Sequence, residues 1–252
     1  MKIADIELSS RYLVNTDGTS DGTQDKYFKD NIWYKTDRFG GEGEAEHLAT
    51  ILLECSSLEA NEYVHYSRVK INGINGCCSD NFLGEEESFV TIYRLYSNVY
   101  GGDIAENLAR MEYDDSIEFV LHFVKEQTSL DLHRYLANIF VLDRIILNED
   151  RNFNNFGVIF DGKQFREAPI FDNGKSLFVG NGRVDMTRPM EENVKKAFAK
   201  SFSGSFELNY SYLKEYADLV IDRQKLQSRM REEVSGGMAE LLLHQVNKYV
   251  YK

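Results

Sequence analysis

The first hundred positions alternate between apolar and polar residues in the short period that is typical of strands. Residues 3 to 14 predict one or two strands, and "YFKDNIWYKT" predicts a hairpin that turns at "KDN" and continues as a strand from Ile32 to Thr36. Two further strands are predicted from Tyr63 to Ile71 and from Ser88 to Tyr96. The polar segment between them, "NGINGCCSDNFLGEEE", is predicted to be a loop, as is "NTDGTSDGT" near the start.

Helical spacing of the apolar residues appears once in this region, from about Glu44 to Cys55, and dominates the chain after Asp103. The clearest helix is "LDLHRYLANIFVLDRIIL", whose stripe is apolar except for Asp143. A hairpin follows in "FGVIFDGKQFREAPIF", where Asp161-Gly162 supplies the positive φ angles of a tight turn. Further helices are predicted near 190–200, 207–230 and 236–250.

These elements predict an α+β chain in two parts. Residues 1–97 form a strand-rich part with one main helix, and residues 98–252 form a helical part that one hairpin interrupts. With 252 residues, of which 42% are hydrophobic, the chain can bury a core as one large domain or as two small lobes.

Charge and cysteine usage narrow the partners and the location. A formal charge of -12 repels nucleic-acid backbones and no local basic patch offsets it, so no nucleic-acid partner is expected. No run approaches the ~18 apolar residues of a membrane span, and the N-terminus has no apolar signal core. Three cysteines without the spacing of a disulfide framework or a metal site favour the cytoplasm, although export by a non-classical route leaves no sequence mark.

Three oxygen-bearing side chains surround the second hairpin. Because a hairpin folds its two ends together, Asn155 before it and Asp172 after it are expected to lie side by side, with Asp150 one loop away. Mg²⁺ prefers one or two carboxylates, an amide oxygen and phosphate oxygens, so Asn155 and Asp172 are candidate metal ligands. Asp150 is placed to orient an acceptor hydroxyl and to take its proton in phosphoryl transfer. The alternative is that these Asp and Asn residues only form turns.

Phosphoryl transfer of the protein-kinase kind also needs a strand lysine for the phosphates and a helix glutamate that holds the lysine. Lys35 ends a predicted strand, and the next helix carries Glu44 and Glu46. Glu46 borders the apolar stripe of that helix and is the preferred partner, although helix phase alone leaves Glu44 open.

Two further segments are candidates for binding a nucleotide. Gly18 and Gly22 in "DGTSDGTQ" have a spacing that lets backbone amides approach phosphates, but the segment lacks GxGxxG, so a plain loop is the alternative. The segment "TIYRLYSN", with Arg94 and Leu95 at its centre, lies where strands give way to helices and is a candidate hinge whose backbone reads adenine.

The segment "LDRIILNEDRNFNNFGVI" followed by "APIFDNGKSL" resembles the catalytic core of the HipA-like serine/threonine kinases, particularly the compact CtkA-type members. "YK" and "GEGEAEHLATILL" are similar to the lysine strand and first helix of that family. The resemblance implies a bacterial protein with a two-lobed protein-kinase-like fold that uses ATP and Mg²⁺. It also implies roles for Asp150 as catalytic base, for Asn155 and Asp172 as Mg²⁺ ligands, and for Lys35 and Glu46 as the phosphate-binding pair. Asn152 stands where the motif often has His. This difference changes the side chain available for hydrogen bonds within the loop.

The function that the resemblance implies is transfer of the γ-phosphate of ATP to Ser or Thr of a protein substrate, including the protein itself. A lipid or small-molecule kinase on the same scaffold stays open, because the catalytic residues do not specify the acceptor. An ATP-binding pseudokinase module also stays open, because of Asn152 and the irregular glycine loop. The sequence leaves the oligomeric state open.

Overall fold

The computed structural model describes residues 3–14, 24–233 and 236–249. In these ranges the first sheet has five strands in the order β1-β4-β5-β3-β2. Its pairings are antiparallel except for β1 with β4, which are parallel. The strands are β1 (Ala4–Ile6), β2 (Lys26–Lys29), β3 (Ile32–Thr36), β4 (Ser67–Ile71) and β5 (Ile74–Asp80).

The first predicted hairpin is confirmed as β2 and β3. Its two-residue turn is Asp30-Asn31, and both residues have positive φ angles, 52° and 63°. Such a turn matches the twist of the strands that flank it, and Asp and Asn tolerate the left-handed conformation better than most residues. The resulting register pairs Lys29 with Ile32 and Lys26 with Lys35.

The prediction that "NGINGCCSDNFLGEEE" is a loop is wrong, because β5 lies in this segment and occupies the centre of the sheet. Its composition concealed it, since Gly and Asn are poor strand formers. Gly76 is needed there: a Cβ at this position would clash with the carbonyl oxygen of Lys35 on β3. The backbone of Gly76 also lies against Gly43 of the helix α1 (Glu42–Glu54), which packs on this sheet.

The second sheet is formed by β6 (Ser88–Thr91), β7 (Gly157–Phe160) and β8 (Phe165–Glu167), with β7 in the middle. The predicted hairpin of β7 and β8 is present. Its turn is centred on Gly162-Lys163, one residue later than expected, since the backbone N–H of Asp161 donates to the carbonyl of Gln164. At the open end of this hairpin, β7 begins at Gly157, shortly after Asn155, and β8 ends at Glu167, shortly before Asp172.

The strand predicted to reach Tyr96 ends at Thr91, where the helix α2 (Ile92–Tyr100) begins. Thr91 caps this helix by accepting a hydrogen bond of 3.0 Å from the backbone N–H of Arg94. The strand predicted from Tyr63 is also shorter, since β4 begins at Ser67. Both corrections reflect strand-favouring aromatic and β-branched residues that tertiary packing places elsewhere.

The rest of the described chain is mainly helical. The most strongly periodic segment is confirmed as the helix α5 (His133–Ile146), and its apolar side chains lie in a core that extends from α1 to the C-terminal helices. The helix expected near 190–200 is only one short turn, and the one expected over 207–230 is two helices. The helices after α2 are α3 (Ile104–Leu108), α4 (Tyr113–Thr128), α5 (His133–Ile146), α6 (Met190–Val194), α7 (Phe206–Leu213), α8 (Arg223–Glu233) and α9 (Gly237–Tyr249).

The structure is thus mixed, with strands concentrated before α2 and helices after it, as the α+β prediction requires. The division into lobes at residue 97 stays a prediction. Among the described helices, none combines the length and the apolar character needed to cross a membrane. Cys55, Cys77 and Cys78 are all free thiols.

Candidate active site

A cleft of about 940 Å³ lies beside the first sheet and receives residues from α1, from the junction of β6 with α2, and from the loops that follow α5 and β8. Predicted site residues from distant parts of the chain line it together: Glu46, Arg94, Asp150, Asn155 and Asp172. Basic side chains that the sequence did not single out also line it: Lys26, Arg38, Lys175, Arg183 and Lys200.

Lys35 on β3 reaches two carboxylates at once. Its Nζ lies 3.2 Å from Glu46 Oε1 and 2.9 Å from Asp172 Oδ1. Its ammonium also lies over the ring of Tyr66, 5.0 Å from the centroid. Burial opposes the charged form, but Asp172, Tyr66 and Glu46 outweigh it and hold the pKa of Lys35 well above its ordinary value. The lysine is therefore a permanent cation in the site.

Glu46, rather than Glu44, is the acid beside this lysine. Glu46 is 1% exposed, and its Oε2 accepts a hydrogen bond of 2.9 Å from the backbone N–H of Asn173. Burial raises the pKa of Glu46, while Lys35 acts in the opposite direction. Glu44 points elsewhere and pairs with Arg68 at 3.4 Å. Glu46 thus connects α1 to β3 and to the segment that follows Asp172.

Asp172 follows β8 in an unusual backbone conformation, with a φ angle of 59°. Asp adopts this left-handed region more readily than most residues, so the strain is modest. Burial favours the neutral carboxyl, but the ammonium groups of Lys35 and Lys26 outweigh it and lower the pKa of Asp172 to about 2. Asp172 is consequently ionised at neutral pH, with its side chain 30% exposed.

Asp150 lies in the loop that follows α5, and α5 ends at Ile146. The loop holds it through its own side chains: Asn155 Nδ2 donates to the Asp150 carbonyl at 2.6 Å, and Asn152 Nδ2 lies 3.4 Å from Asp150 Oδ1. Asn152, the residue that departs from the family motif, therefore supplies hydrogen bonds within the loop. The same Oδ1 of Asp150 lies 2.5 Å from Lys200 Nζ.

Arg151 connects the segments that carry Asp150 and Asp172, and the sequence did not single it out. Its side chain is 2% exposed and pairs with Asp143 of α5, at 3.0 Å from Nη2 to Oδ1. The same guanidinium donates to the carbonyls of Asn155 and Phe171 and, at 2.6 Å, to Asn173 Oδ1. It thus joins the Asp150 loop to the Asp172 segment. The position of Asp143 in an otherwise apolar stripe could have indicated such a partner, because a buried acid needs a cation or a hydrogen-bond donor.

Lys26 on β2 is a second missed residue. Burial lowers the pKa of its ammonium despite the nearby Asp172 carboxylate, and the charge of Lys35 acts in the same direction as burial. Its position directly across from Lys35 follows from the two-residue turn of the hairpin. The sequence "KYFKDNIWYK" carried that signal, since Asp-Asn at its centre sets the register.

The remaining predicted residues are not all in the site. Arg94 lines the cleft, whereas Leu95 is buried in the core and is not part of the cleft lining. The predicted hinge is also largely helical, and the backbone N–H groups of Ile92 and Tyr93 already bond to the carbonyls of Phe156 and Phe153. The role of this segment as a hinge that reads adenine stays a prediction. Gly18 and Gly22 lie outside the described residues.

The donor set fits a hard cation such as Mg²⁺. Asn155 commits its amide nitrogen to the Asp150 carbonyl, so its side-chain oxygen is the atom left for a cation. Asp172 offers an ionised carboxylate. Within the described ranges, no group of three or more His, Cys, Asp or Glu side chains is arranged to hold a metal. Two oxygen ligands suffice for Mg²⁺ in phosphoryl-transfer sites, because it keeps several waters and binds substrate phosphates.

The chain has a kinase-like fold, in which a strand lysine held by a helix glutamate lies beside a cleft that also holds the Asp150 loop and Asp172. A solved structure with this fold is the crystal structure of the proinflammatory kinase CtkA of Helicobacter pylori, which matches with a TM-score of 0.65 over 98% of this chain and 93% of that one. The two sequences are 16% identical, so the likeness shows the fold. No family model matches the chain, and no curated protein sequence matches it.

Proposed function

We propose that this protein is an ATP- and Mg²⁺-dependent kinase of the HipA-like type, which transfers the γ-phosphate to a Ser or Thr hydroxyl of a protein. The observation that carries the proposal is the contact of Lys35 with Glu46 and Asp172, two residues that line the cleft together with Asp150 and Asn155. These five residues come from four segments, namely β3, α1, the loop after α5 and the segment after β8, and phosphoryl transfer gives each residue a role.

Lys35 is the cation for the phosphates of the nucleotide, and Glu46 holds it in position. Asn155 and Asp172 are the residues that would bind Mg²⁺, which offsets the charge of the phosphate oxygens when bound. Arg151 fixes the positions of these two residues relative to each other, because it donates hydrogen bonds to the backbone carbonyls of Asn155 and of Phe171, which precedes Asp172.

Asp150 orients the acceptor hydroxyl and accepts its proton. The acceptor oxygen forms a bond to the γ-phosphorus while the bond from that phosphorus to the bridging oxygen breaks, and ADP leaves with the electron pair. The carboxylate of Asp150 suits this task because the loop fixes its backbone through Asn155 and leaves the side chain at the cleft.

The test is to incubate the protein with Mg²⁺ and ATP labelled at the γ-phosphate, alone and with protein acceptors. We expect label in phosphoserine or phosphothreonine for wild type, and at least about a hundredfold less transfer for Asp150→Asn, which retains ATP binding. Asp161→Asn, an exposed position on the second hairpin, is the matched control and transfers label as wild type does.

Three outcomes contradict the proposal in different ways. Equal transfer by wild type, Asp150→Asn and Asp172→Asn means that the site residues are wrong. Label that enters only lipid vesicles or small molecules means that the acceptor is wrong. A thermal shift with Mg²⁺ and ATP but no transfer to any acceptor means that the protein is a nucleotide-binding pseudokinase, because a ligand stabilises the fold by mass action without turnover.

A further inference from the structure

The hairpin of β2 and β3 places two lysines on the same face of the sheet. Lys26 and Lys35 are direct cross-strand partners in the register that the Asp30-Asn31 turn imposes. Directly opposed residues of neighbouring strands project on the same side. Lys26 is among the residues that line the cleft. Its side chain therefore lies on the same side of the sheet as the contacts of Lys35 with Glu46 and Asp172.

These two lysines differ in their partners. Lys35 forms ion pairs with two carboxylates, those of Glu46 and Asp172. Within the part of the chain that the structure describes, no hydrogen bond or ion pair engages the ammonium of Lys26. The nearest carboxylate, Asp172, already forms its ion pair with Lys35, so a bound anion would give the half-buried ammonium of Lys26 a partner of its own.

The formal charges of the group support the same conclusion. Lys35, Glu46 and Asp172 together carry one net negative charge, which by itself repels the polyphosphate of a nucleotide. Lys26 brings the group to neutrality. The segment before β2 also lacks the GxGxxG pattern whose backbone amides bind phosphates. A side-chain cation is therefore expected to contribute more to phosphate binding.

We infer that Lys26 is a second phosphate-binding lysine, which contacts the phosphates of a nucleoside di- or triphosphate bound beside Lys35. The inference rests on the proposed function, because it assumes that the cleft binds a nucleotide. Its further content is that the chain uses a pair of cross-strand lysines, one held by carboxylates and one left for the ligand.

The experiment measures the affinity of the full chain for ATP with Mg²⁺, for ADP with Mg²⁺ and for adenosine by calorimetry. Lys26→Met keeps the aliphatic stem and removes the charge, and we expect it to bind ATP and ADP about tenfold to a hundredfold more weakly, since a charged hydrogen bond contributes about 1.5–3 kcal/mol. Adenosine, which has no phosphate, binds wild type and Lys26→Met equally. Lys26→Arg restores most of the affinity for both nucleotides.

Lys29→Met is the matched control, because Lys29 lies on the same strand but makes its contacts at the ring of Tyr12, 5.5 Å from the centroid, and at Asp30. It leaves all three affinities unchanged. Equal nucleotide binding by wild type and Lys26→Met overturns the inference while the proposed function stands. A loss that extends equally to adenosine also overturns it, because it indicates a structural role. A wild type that binds no nucleotide overturns the proposed function itself.

Discussion

Lys35 and Asp172 form an ion pair of 2.9 Å between Nζ and Oδ1, although 137 positions separate them in the chain. The pair connects β3 of the first sheet to the segment that follows the second hairpin. Glu46 joins it from α1, so three elements meet at one ammonium group. The geometry of the cleft therefore depends on this group.

The ion pair makes stability depend on pH in the acidic range. Because the pKa of Asp172 is about 2 in the folded protein, below its unfolded value near 3.9, its contribution is complete above about pH 4 and is lost as the pH falls through about 2. Glu46 has a raised pKa and therefore acts with the opposite sign. We expect the free energy of unfolding to fall more steeply between pH 4 and pH 2 in wild type than in Asp172→Asn.

Denaturant unfolding at a series of pH values measures this slope. Asp115→Asn, which replaces an exposed acid on α4, is the control and keeps the wild-type slope. If Asp172→Asn and wild type lose stability in parallel from pH 4 to pH 2, the paired carboxylate of Asp172 is not the source of the acid sensitivity.

Arg151→Met is expected to be strongly destabilising, because it leaves the carboxylate of Asp143 buried without its cation. Removing one partner of such a buried pair costs about 3–5 kcal/mol. The exposed pair of Arg166 and Glu87, at 2.7 Å, is the internal control, and Arg166→Met costs less than about 1 kcal/mol. Chemical denaturation measures both values.

A double variant separates the charge from the packing at this position. Arg151→Met with Asp143→Leu removes both buried charges, so it is expected to be more stable than Arg151→Met alone. A cost for Arg151→Met no larger than that for Arg166→Met contradicts the central structural role of Arg151.

Gly76→Ala is expected to disturb the site from behind the sheet. Its Cβ would clash with the carbonyl oxygen of Lys35, so β3 or β5 must move. We expect a loss of about 1–3 kcal/mol of stability and reduced phosphate transfer, since Lys35 moves away from Glu46. Gly102→Ala, whose Cβ has no atom within 4 Å, is the control and changes neither quantity. Wild-type transfer by Gly76→Ala shows that the strands accommodate the methyl group without moving Lys35.

Lys200 is expected to position Asp150 for catalysis, because its Nζ lies 2.5 Å from Asp150 Oδ1. Lys200→Met should lower kcat about tenfold or more and leave KM for ATP unchanged, since a misplaced catalytic group slows transfer without weakening nucleotide binding. Lys200→Arg should restore part of kcat. Lys195→Met, at an exposed neighbouring position, is the control with wild-type kinetics. A rise in KM for ATP with unchanged kcat contradicts this role.

Two elements show why local patterns misled the prediction. The segment of β5 contains Asn and Gly, which are depleted in strands, yet β3 and β4 bond to it on both sides. The segment of α2 is rich in residues that favour strands, but Ile92, Leu95 and Tyr96 are buried at helical spacing. That spacing was visible in the sequence and could have identified the helix.

By itself the sequence determined the features that depend on neighbouring residues. The Asp30-Asn31 turn, the helix α5 and the hairpin after Asn155 follow from local turn chemistry and apolar spacing, and so do the residue types gathered at the site. Tertiary structure decided which of them meet: Glu46 instead of Glu44 at Lys35, Arg151 buried against Asp143, and Lys26 facing the cleft. The physical reason is that burial and strand register select these partners, and both depend on packing between elements that lie far apart in the chain.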